Sequence, residues 1–173
     1  MLVRLGFKPI IFYHNLFYFL TRQLYNHDYV VCQHRKYEMR NKLFELYRPK
    51  QLAEFLEFNK ANPTESFVYV LQHPPRNINI LTASDYGYLV ICLPENSQML
   101  FSPAPFIHKM RKNLRDFRET DYILCSGDPA IIGLSTAIVS DITQGKFNLL
   151  KWDRQETRYY PLSFNLFEKG EDE

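Results

Sequence analysis

The fold is decided by residues 121–166, DYILCSGDPAIIGLSTAIVSDITQGKFNLLKWDRQETRYYPLSFNL, in which every local signal points to one strand–helix–strand–strand unit. The apolar run 122–125 is typical of a strand buried on both faces, and 147–152 reads as a second strand. Residues 159–166 alternate between two faces, and this period of two predicts a half-exposed strand. Pro161 cannot donate to a ladder, so we expect the last strand at the edge of the sheet.

The middle of this unit has the signals of a helix. Asp128 is expected as N-cap because its carboxylate accepts backbone N–H bonds, and Pro129 at the first helical position gives up an N–H that would have no partner. Apolar residues recur at spacings of three and four over 129–143, which predicts a face that packs on a sheet. Gly145 stands where a left-handed residue would end the helix.

These elements predict an α/β fold, with α+β as the alternative. Two parallel strands joined by a helix form a right-handed crossover in nearly all known cases. We therefore expect a mixed central sheet with helices packed on it, a crossover, and an antiparallel edge strand. Upstream, Pro49 opens a helix that Asn62 ends. The remaining expectations are a helix over 37–47, strands over 67–71, 78–82 and 88–93, a hairpin return at 99–101 and a helix over 105–119.

The N-terminal 38 residues differ from the rest of the chain. They carry five basic and two acidic side chains, and their apolar runs are interrupted and shorter than the roughly 20 residues that span a bilayer. Three interpretations stay open for 1–38: an amphipathic extension that touches the domain or a membrane surface, a docking arm for another subunit, or an upstream stretch that is not natively translated. The predicted domain covers 39–167, and 168–173 form an acidic tail.

Composition narrows the class of protein. A chain of 173 residues that is 46% hydrophobic and 23% charged is ordinary for one globular domain. Residues 39–173 carry 16 basic and 17 acidic side chains, so overall charge gives no support for nucleic-acid binding by the domain. Three scattered cysteines argue against a disulfide framework or a zinc module and favour a reducing compartment, with Cys92 and Cys125 expected as small buried hydrophobes.

Complete catalytic motifs are missing from the sequence. The histidines show no metal-binding spacing, and neither a G-x-S-x-G nucleophile turn nor a Walker-type glycine loop is present. We therefore expect no metal and no cofactor, and an enzyme is disfavoured.

The turn at Ser126, Gly127 and Asp128 is a candidate ligand site. It stands between a strand and the start of a helix, at the edge of the sheet where α/β folds bind ligands and where exposed helix N–H groups favour anions. The same residues are also explained as a turn and a helix cap. With Gly133 they resemble a motif of the tetrapyrrole methylases, which bind S-adenosylmethionine, but the glycine-rich strand loop and second domain of that family are absent, so no activity is carried over.

A basic surface is the second candidate. Five cations of the helix over 105–119 are placed to contact phosphates: Lys109, Arg111, Lys112, Arg115 and Arg118. The alternative is an ordinary solvated helix face.

The hairpin tip is a third candidate, as a protein interface. Trp152, Arg154, Arg158 and Tyr159 together predict an aromatic and basic patch. The alternative for Trp152 is the core, because it ends an apolar strand.

The C-terminal unit, GDPAIIGLSTAIVSDITQGKFNLLKWDRQETRYYPLSFNL, resembles that of small uncharacterised proteins of tailed bacteriophages, especially phages of marine and cyanobacterial hosts. The resemblance implies a viral protein expressed in the cytoplasm of a bacterial host, and it implies no active residues.

The favoured hypothesis is a phage accessory protein that binds a protein or nucleic acid without catalysis, through the edge strand and the basic helix. The alternatives are an enzyme that modifies a nucleotide or small ligand at the Ser126–Asp128 turn, and a component of the virion. A homo-oligomer formed through the edge strand is also compatible with the sequence.

Overall fold

The computed structural model describes residues 42–75 and 78–168. The interpretations of residues 1–38 and of the tail beyond 168 therefore fall outside the described residues.

Strands and helices alternate along the described part of the chain. The strands are β1 (Leu43–Glu45), β2 (Phe67–Val70), β3 (Tyr88–Ile91), β4 (Tyr122–Leu124), β5 (Lys146–Asp153) and β6 (Arg158–Asn165), and the α-helices are α1 (Pro49–Ala61), α2 (Ala104–Leu114) and α3 (Pro129–Ile142). A 3₁₀ helix, Leu81–Asp85, lies between β2 and β3.

The six strands form one sheet in the order β1-β3-β2-β4-β5-β6. All neighbours pair in parallel except β5 and β6, which are antiparallel. This arrangement confirms the predicted α/β class, the crossover from β4 through α3 to β5, and the antiparallel edge strand.

The direction of each connection decides which face of the sheet it covers. The connections through α1, α2 and α3 all run toward β6 along the sheet, whereas the connection from β2 to β3 runs the other way. Because crossovers are right-handed, connections of opposite direction lie on opposite faces. Side chains of the three α-helices accordingly share one core with Phe67 and Tyr69, and Ile80 and Ala83 of the reverse connection pack on the other face with Val68 and Val70.

The start and end of α3 agree with the expected signals. Asp128 Oδ1 accepts a hydrogen bond of 2.8 Å from the Ala130 backbone N–H, as an N-cap should. Gly145 has a φ of +81°, in the region that favours glycine. A Cβ at this position would lie 2.9 Å from the ring of Phe167, so both conformation and close packing require glycine here.

Three upstream expectations were wrong, and a fourth gave a helix that was too long. Residues 43–45, within the predicted helix over 37–47, form β1, because the backbone around them bonds to β3, as Leu46 N–H does to the Ile91 carbonyl at 2.7 Å. The predicted strand over 78–82 overlaps the 3₁₀ helix, and residues 99–101 form no strand. The helix predicted over 105–119 ends at Leu114, and Asp121 holds the chain beyond it by accepting from Arg118 N–H at 3.0 Å.

The Tyr69 hydroxyl provides a test of the core. The side chain is fully buried, with its ring against those of Phe55 and Phe117, and its Oη has no hydrogen-bond partner among the described residues. Because an unpaired buried hydroxyl is costly, we expect Tyr69→Phe to raise the free energy of unfolding by about 0.5–2 kcal/mol. Urea denaturation of the full chain measures this, and a clear loss of stability would mean that the hydroxyl is bonded.

Candidate functional site

The sheet has a switch point between β2 and β4. These strands are neighbours, but the chain leaves β2 toward β3 on one face and leaves β4 toward β5 on the other. In open α/β sheets such a reversal opens a crevice outside the carboxyl ends of the two strands, and ligands bind there. The segments that border this crevice are the one that follows β2 from Leu71 and the one that follows β4 from Cys125.

Gln72 occupies the helix side of this crevice. Its Nε2 donates to the Ser97 carbonyl at 3.0 Å and to the Glu95 carbonyl, and its Oε1 accepts from the Asp128 N–H at 2.9 Å. The side chain is almost fully buried. One amide therefore joins the ends of β2 and β4 to the turn that follows β3.

The residues of the predicted ligand turn are each held by protein groups. Ser126 Oγ donates to the Gln72 carbonyl at 3.1 Å. Asp128 caps α3 with one carboxylate oxygen, and the other accepts from the Met99 N–H at 3.5 Å. Gly127 has a φ of +108°, and a Cβ there would lie 2.3 Å from Gln72 Oε1. The start of α3 is thus occupied by Asp128 and Gln72, and ligand binding by this turn stays a prediction.

A cavity of about 700 Å³ opens beside the same turn. One wall is formed by residues after β2, including Pro74, Pro75 and Asn79, and another by Cys125, Ser126 and Gly127. The far wall is formed by the β5–β6 hairpin, with Leu150, Lys151, Trp152 and Tyr159 among its residues. The sequence predicted Ser126 and Gly127 as ligand-binding residues, but it did not indicate that the hairpin lies across the cavity from them.

The two described cysteines differ in exposure. Cys92 is fully buried, and burial raises the pKa of its thiol to about 12. Cys125 was expected to be buried but reaches solvent where β4 ends at the cavity. Partial desolvation raises the pKa of the Cys125 thiol above its ordinary value, whereas an activated thiol has a lowered pKa.

A carboxylate and a histidine approach each other at the same edge of the sheet. Burial raises the pKa of Glu45, and the nearby His73 lowers it in part. His73 Nδ1 lies 2.9 Å from the Pro74 carbonyl. Glu45 ends a strand at the opposite side of the crevice from the cavity, so this pair does not line it.

The cations of the predicted basic surface do not form one free patch. Arg111 lies 3.9 Å from Asp141, and Arg115 lies 3.0 Å from Asp116. Lys109 is half-buried, and burial lowers its pKa. Lys112 is exposed. Nucleic-acid binding by these residues stays a prediction.

Arg118, the last member of that surface, has a structural partner. Its Nη2 lies 3.0 Å from the fully buried carboxylate of Asp121, and its Nη1 donates to the Pro63 carbonyl at 2.8 Å. Burial raises the pKa of Asp121, and hydrogen bonds from Arg118 oppose that rise.

The hairpin tip is only partly a surface. Trp152 is 38% exposed and contacts Tyr159 edge-to-face, with ring centroids 4.9 Å apart. Tyr159 is only 6% exposed, so its ring belongs to the core side of the hairpin. Arg154 and Arg158 are exposed, and Arg158 lies 3.7 Å from Glu156. Binding of a protein here stays a prediction.

Pro161 faces the open edge of the sheet. Opposing residues of an antiparallel pair alternate between those that bond to each other and those whose N–H and C=O groups point away. Leu166 N–H bonds to the Gly145 carbonyl at 3.0 Å, and in the same register Pro161 opposes Leu150. The alternation then directs the nitrogen of Pro161 away from β5. Proline therefore removes no hydrogen bond from the β5–β6 pair. It does remove a donor from the outer edge, the edge through which a homo-oligomer was compatible with the sequence.

Two large apolar side chains that sequence analysis placed in a hairpin are exposed instead. Phe101 is 98% exposed and Leu100 is 70% exposed. Met99 just before them packs against the helix-side core and donates its N–H to Asp128, so the loop is anchored beside the start of α3. In the sequence, Leu100 and Phe101 are only an apolar pair flanked by turn residues. The structure shows that they pair with no strand and are exposed.

Across 42–75 and 78–168, no group of three or more histidine, cysteine, aspartate or glutamate side chains is placed to hold a metal ion. None of the helices in the described part of the chain combines the length and apolar character needed to cross a membrane.

Comparison with protein families gives a match to the model of the family described as Phage Pam3 gp32-like protein, over residues 66–166. This segment runs from the start of β2 to the end of β6 and contains the crevice, the cavity and the exposed loop. The match confirms the resemblance to phage proteins that the C-terminal unit suggested. Neither the curated proteins nor the solved structures include a significant match.

Proposed function

The chain belongs to the Phage Pam3 gp32-like protein family, and on that premise we propose that it is an accessory protein of the host cytoplasm that binds a protein partner and catalyses no reaction. The proposed partner presents an apolar groove to the loop that carries Leu100 and Phe101. The observation that carries this proposal is the exposure of Phe101, which is 98%.

Exposed aromatic and aliphatic side chains are the usual anchors of protein interfaces. Scattered single hydrophobes are normal on a protein surface, but Leu100 and Phe101 are adjacent, and Met99 holds their position. An aromatic residue that enters a partner's pocket typically contributes a large share of the binding energy. The loop is therefore suited to insert its two side chains into another protein.

The outward side of α3 supports a flat contact beside this loop. Ala130, Gly133 and Ala137 are exposed, and a Cβ added at Gly133 would meet no other atom within 4 Å. Glycine within a helix costs about 0.5–1 kcal/mol relative to alanine, and contacts within the described chain do not offset that cost at Gly133. A partner that approaches the α3 backbone closely would offset it.

The charges favour a protein over a nucleic acid. Arg111 and Arg115 lie beside acidic side chains, and Arg118 is committed to Asp121. Nucleic-acid affinity depends on cations that neutralise phosphates. The acidic neighbours reduce the ability of these arginines to neutralise phosphates. They have no effect on binding through the apolar loop.

The test replaces the two exposed side chains with serine. Tagged full-length protein is recovered from phage-infected host cells, and the partner is identified by mass spectrometry, purified and titrated against the Leu100→Ser/Phe101→Ser variant. We expect the double variant to bind at least about 10-fold more weakly, the effect of losing one interface anchor.

The matched control is Leu81→Ser/Leu166→Ser, which removes two other exposed apolar side chains of 46% and 59% exposure. It should bind like the unmodified protein, and both variants should melt within a few degrees of it. Equal binding by both variants contradicts the proposal. Recovery that nuclease abolishes, with a mobility shift that salt reverses, would instead support nucleic-acid binding by the basic helix.

A further inference from the structure

We propose that the cavity between the β2 and β4 segments and the β5–β6 hairpin binds a planar heteroaromatic molecule of nucleobase or nucleoside size. This inference is independent of the proposed protein partner, because it concerns a different surface.

The strand order and the location of the cavity are separate observations, and both point to this position as a ligand site. The order of the strands places the switch point between β2 and β4, where α/β sheets bind ligands. The cavity is bordered by the segments that leave those two strands, at Pro74 and Pro75 on one side and at Ser126 and Gly127 on the other. Its volume of about 700 Å³ lies in the ordinary range for sites that enclose a small molecule.

The chemistry of the walls selects the class of ligand. Pro75, Ile78 and the indole ring of Trp152 are the exposed apolar groups of the lining, and the buried Pro74 and Leu150 lie beside them. Ser126, Asn79 and Lys151 supply one hydroxyl, one amide and one ammonium group to this apolar setting. A few polar groups among aromatic and apolar walls suit a flat ring with polar edges.

The occupied helix start argues against recognition of a phosphate. An anion at α3 would need the backbone N–H groups that Asp128 and Gln72 already engage, and it would meet the carboxylate of Asp128. The start of α3 therefore offers no site for a phosphate, and the ring is the part of the ligand that the apolar walls would hold.

Trp152 provides a direct readout, because it is the one tryptophan of the chain and lines the cavity. Full-length protein is excited at the red edge of tryptophan absorption, and adenosine, guanosine, cytidine and uridine are titrated to about 1 mM, the weak end of small-molecule affinity. We expect saturable quenching by at least one nucleoside and none by ribose 5-phosphate. Quenching by ribose 5-phosphate alone, or by none of the five compounds, overturns the proposal.

A substitution at the cavity wall locates the site. Cys125→Phe places a ring in the cavity, and Cys125→Ser is the matched control because it conserves size. We expect the apparent affinity to fall at least about 10-fold in the first variant and to change less than about 2-fold in the second. Equal quenching in both variants would place the ligand elsewhere and overturn the proposal.

A second measurement on the unmodified chain covers the case in which Cys125→Phe does not fold. Cys125 is exposed at the cavity and Cys92 is buried, so alkylation by iodoacetamide should distinguish them. A nucleoside at ten times its dissociation constant should slow alkylation of Cys125 about 10-fold, because only the free fraction reacts. Cys92 reports any general unfolding. Quenching without protection of Cys125 contradicts binding in this cavity.

Discussion

Replacing Arg118 with alanine is expected to lower the free energy of unfolding by about 3–5 kcal/mol, the loss that follows when one partner of a buried ion pair is removed. Asp121 has no exposed surface, and its carboxylate accepts from Arg118 Nη2 at 3.0 Å and from the Phe67 N–H at 3.0 Å. The guanidinium also donates to the carbonyls of Pro63 and Glu65 and lies over the ring of Phe67. The variant therefore leaves a buried charge and releases the entry into β2. Urea denaturation near pH 7 measures the change.

The matched control is Arg115→Ala, which removes an arginine whose ion pair with Asp116 is exposed. Exposed pairs contribute little, so its stability should change by less than about 1 kcal/mol. Equal losses in the two variants would show that Arg118 is no more structural than its neighbour.

The deficit of Arg118→Ala should depend on pH. Burial raises the pKa of Asp121, and Arg118 opposes that rise, so the pKa rises further in the variant. A carboxyl with a higher pKa in the folded state binds more protons there, so stability falls as pH rises through the window between the two pKa values. We expect the deficit to shrink as the pH is lowered from neutrality. A deficit that grows toward acid would contradict this assignment.

Gln72→Met should produce the second large loss, about 2–4 kcal/mol, because each buried polar group left without a partner costs about 1–3 kcal/mol. Methionine fills a similar volume but offers no amide to the carbonyls of Glu95 and Ser97 or to the Asp128 N–H. Thermal and urea unfolding of the full chain measure the loss. Hydrogen exchange should also increase at the turns after β3 and β4, since the amide joins them.

Gln98→Met is the control for Gln72→Met, since it makes the same chemical change at an exposed position. It should change stability by less than about 0.5 kcal/mol, as exposed substitutions usually do. If Gln72→Met is no worse than this control, the hydrogen bonds of Gln72 contribute little to the fold.

Local signals were sufficient for the final third of the chain. A cap at Asp128, a proline at the first helical position and a glycine at Gly145 fix the start and end of α3 within a few residues, so they can be read without knowing the rest of the fold. The alternation in β6 likewise sets which side chains share a face.

Short elements that depend on distant partners could not be predicted. β1 has three residues, too few for a period of two or of 3.6 to be distinguished, and its partner β3 lies far along the chain. The early end of α2 has a similar cause, because Arg118 is held by Asp121 and by carbonyls before β2. Helix propensity depends on the local sequence and cannot account for these long-range contacts.

The candidate site was predicted in part. The Ser126–Asp128 turn was found because cap and turn residues are recognisable in sequence. Gln72 and the hairpin wall were missed, since their partners are brought together only by the order of the strands. A polar amide directly after the buried run of β2 was the available signal for Gln72, because buried polar side chains need partners.

Pro161 has a consequence for crowded conditions. If a second copy of the chain paired a strand with β6, Pro161 would offer no backbone N–H to it. The added strand pair would therefore lack one hydrogen bond near its middle. End-to-end growth of the sheet into fibres is thereby disfavoured even when many copies of the chain accumulate in one cell.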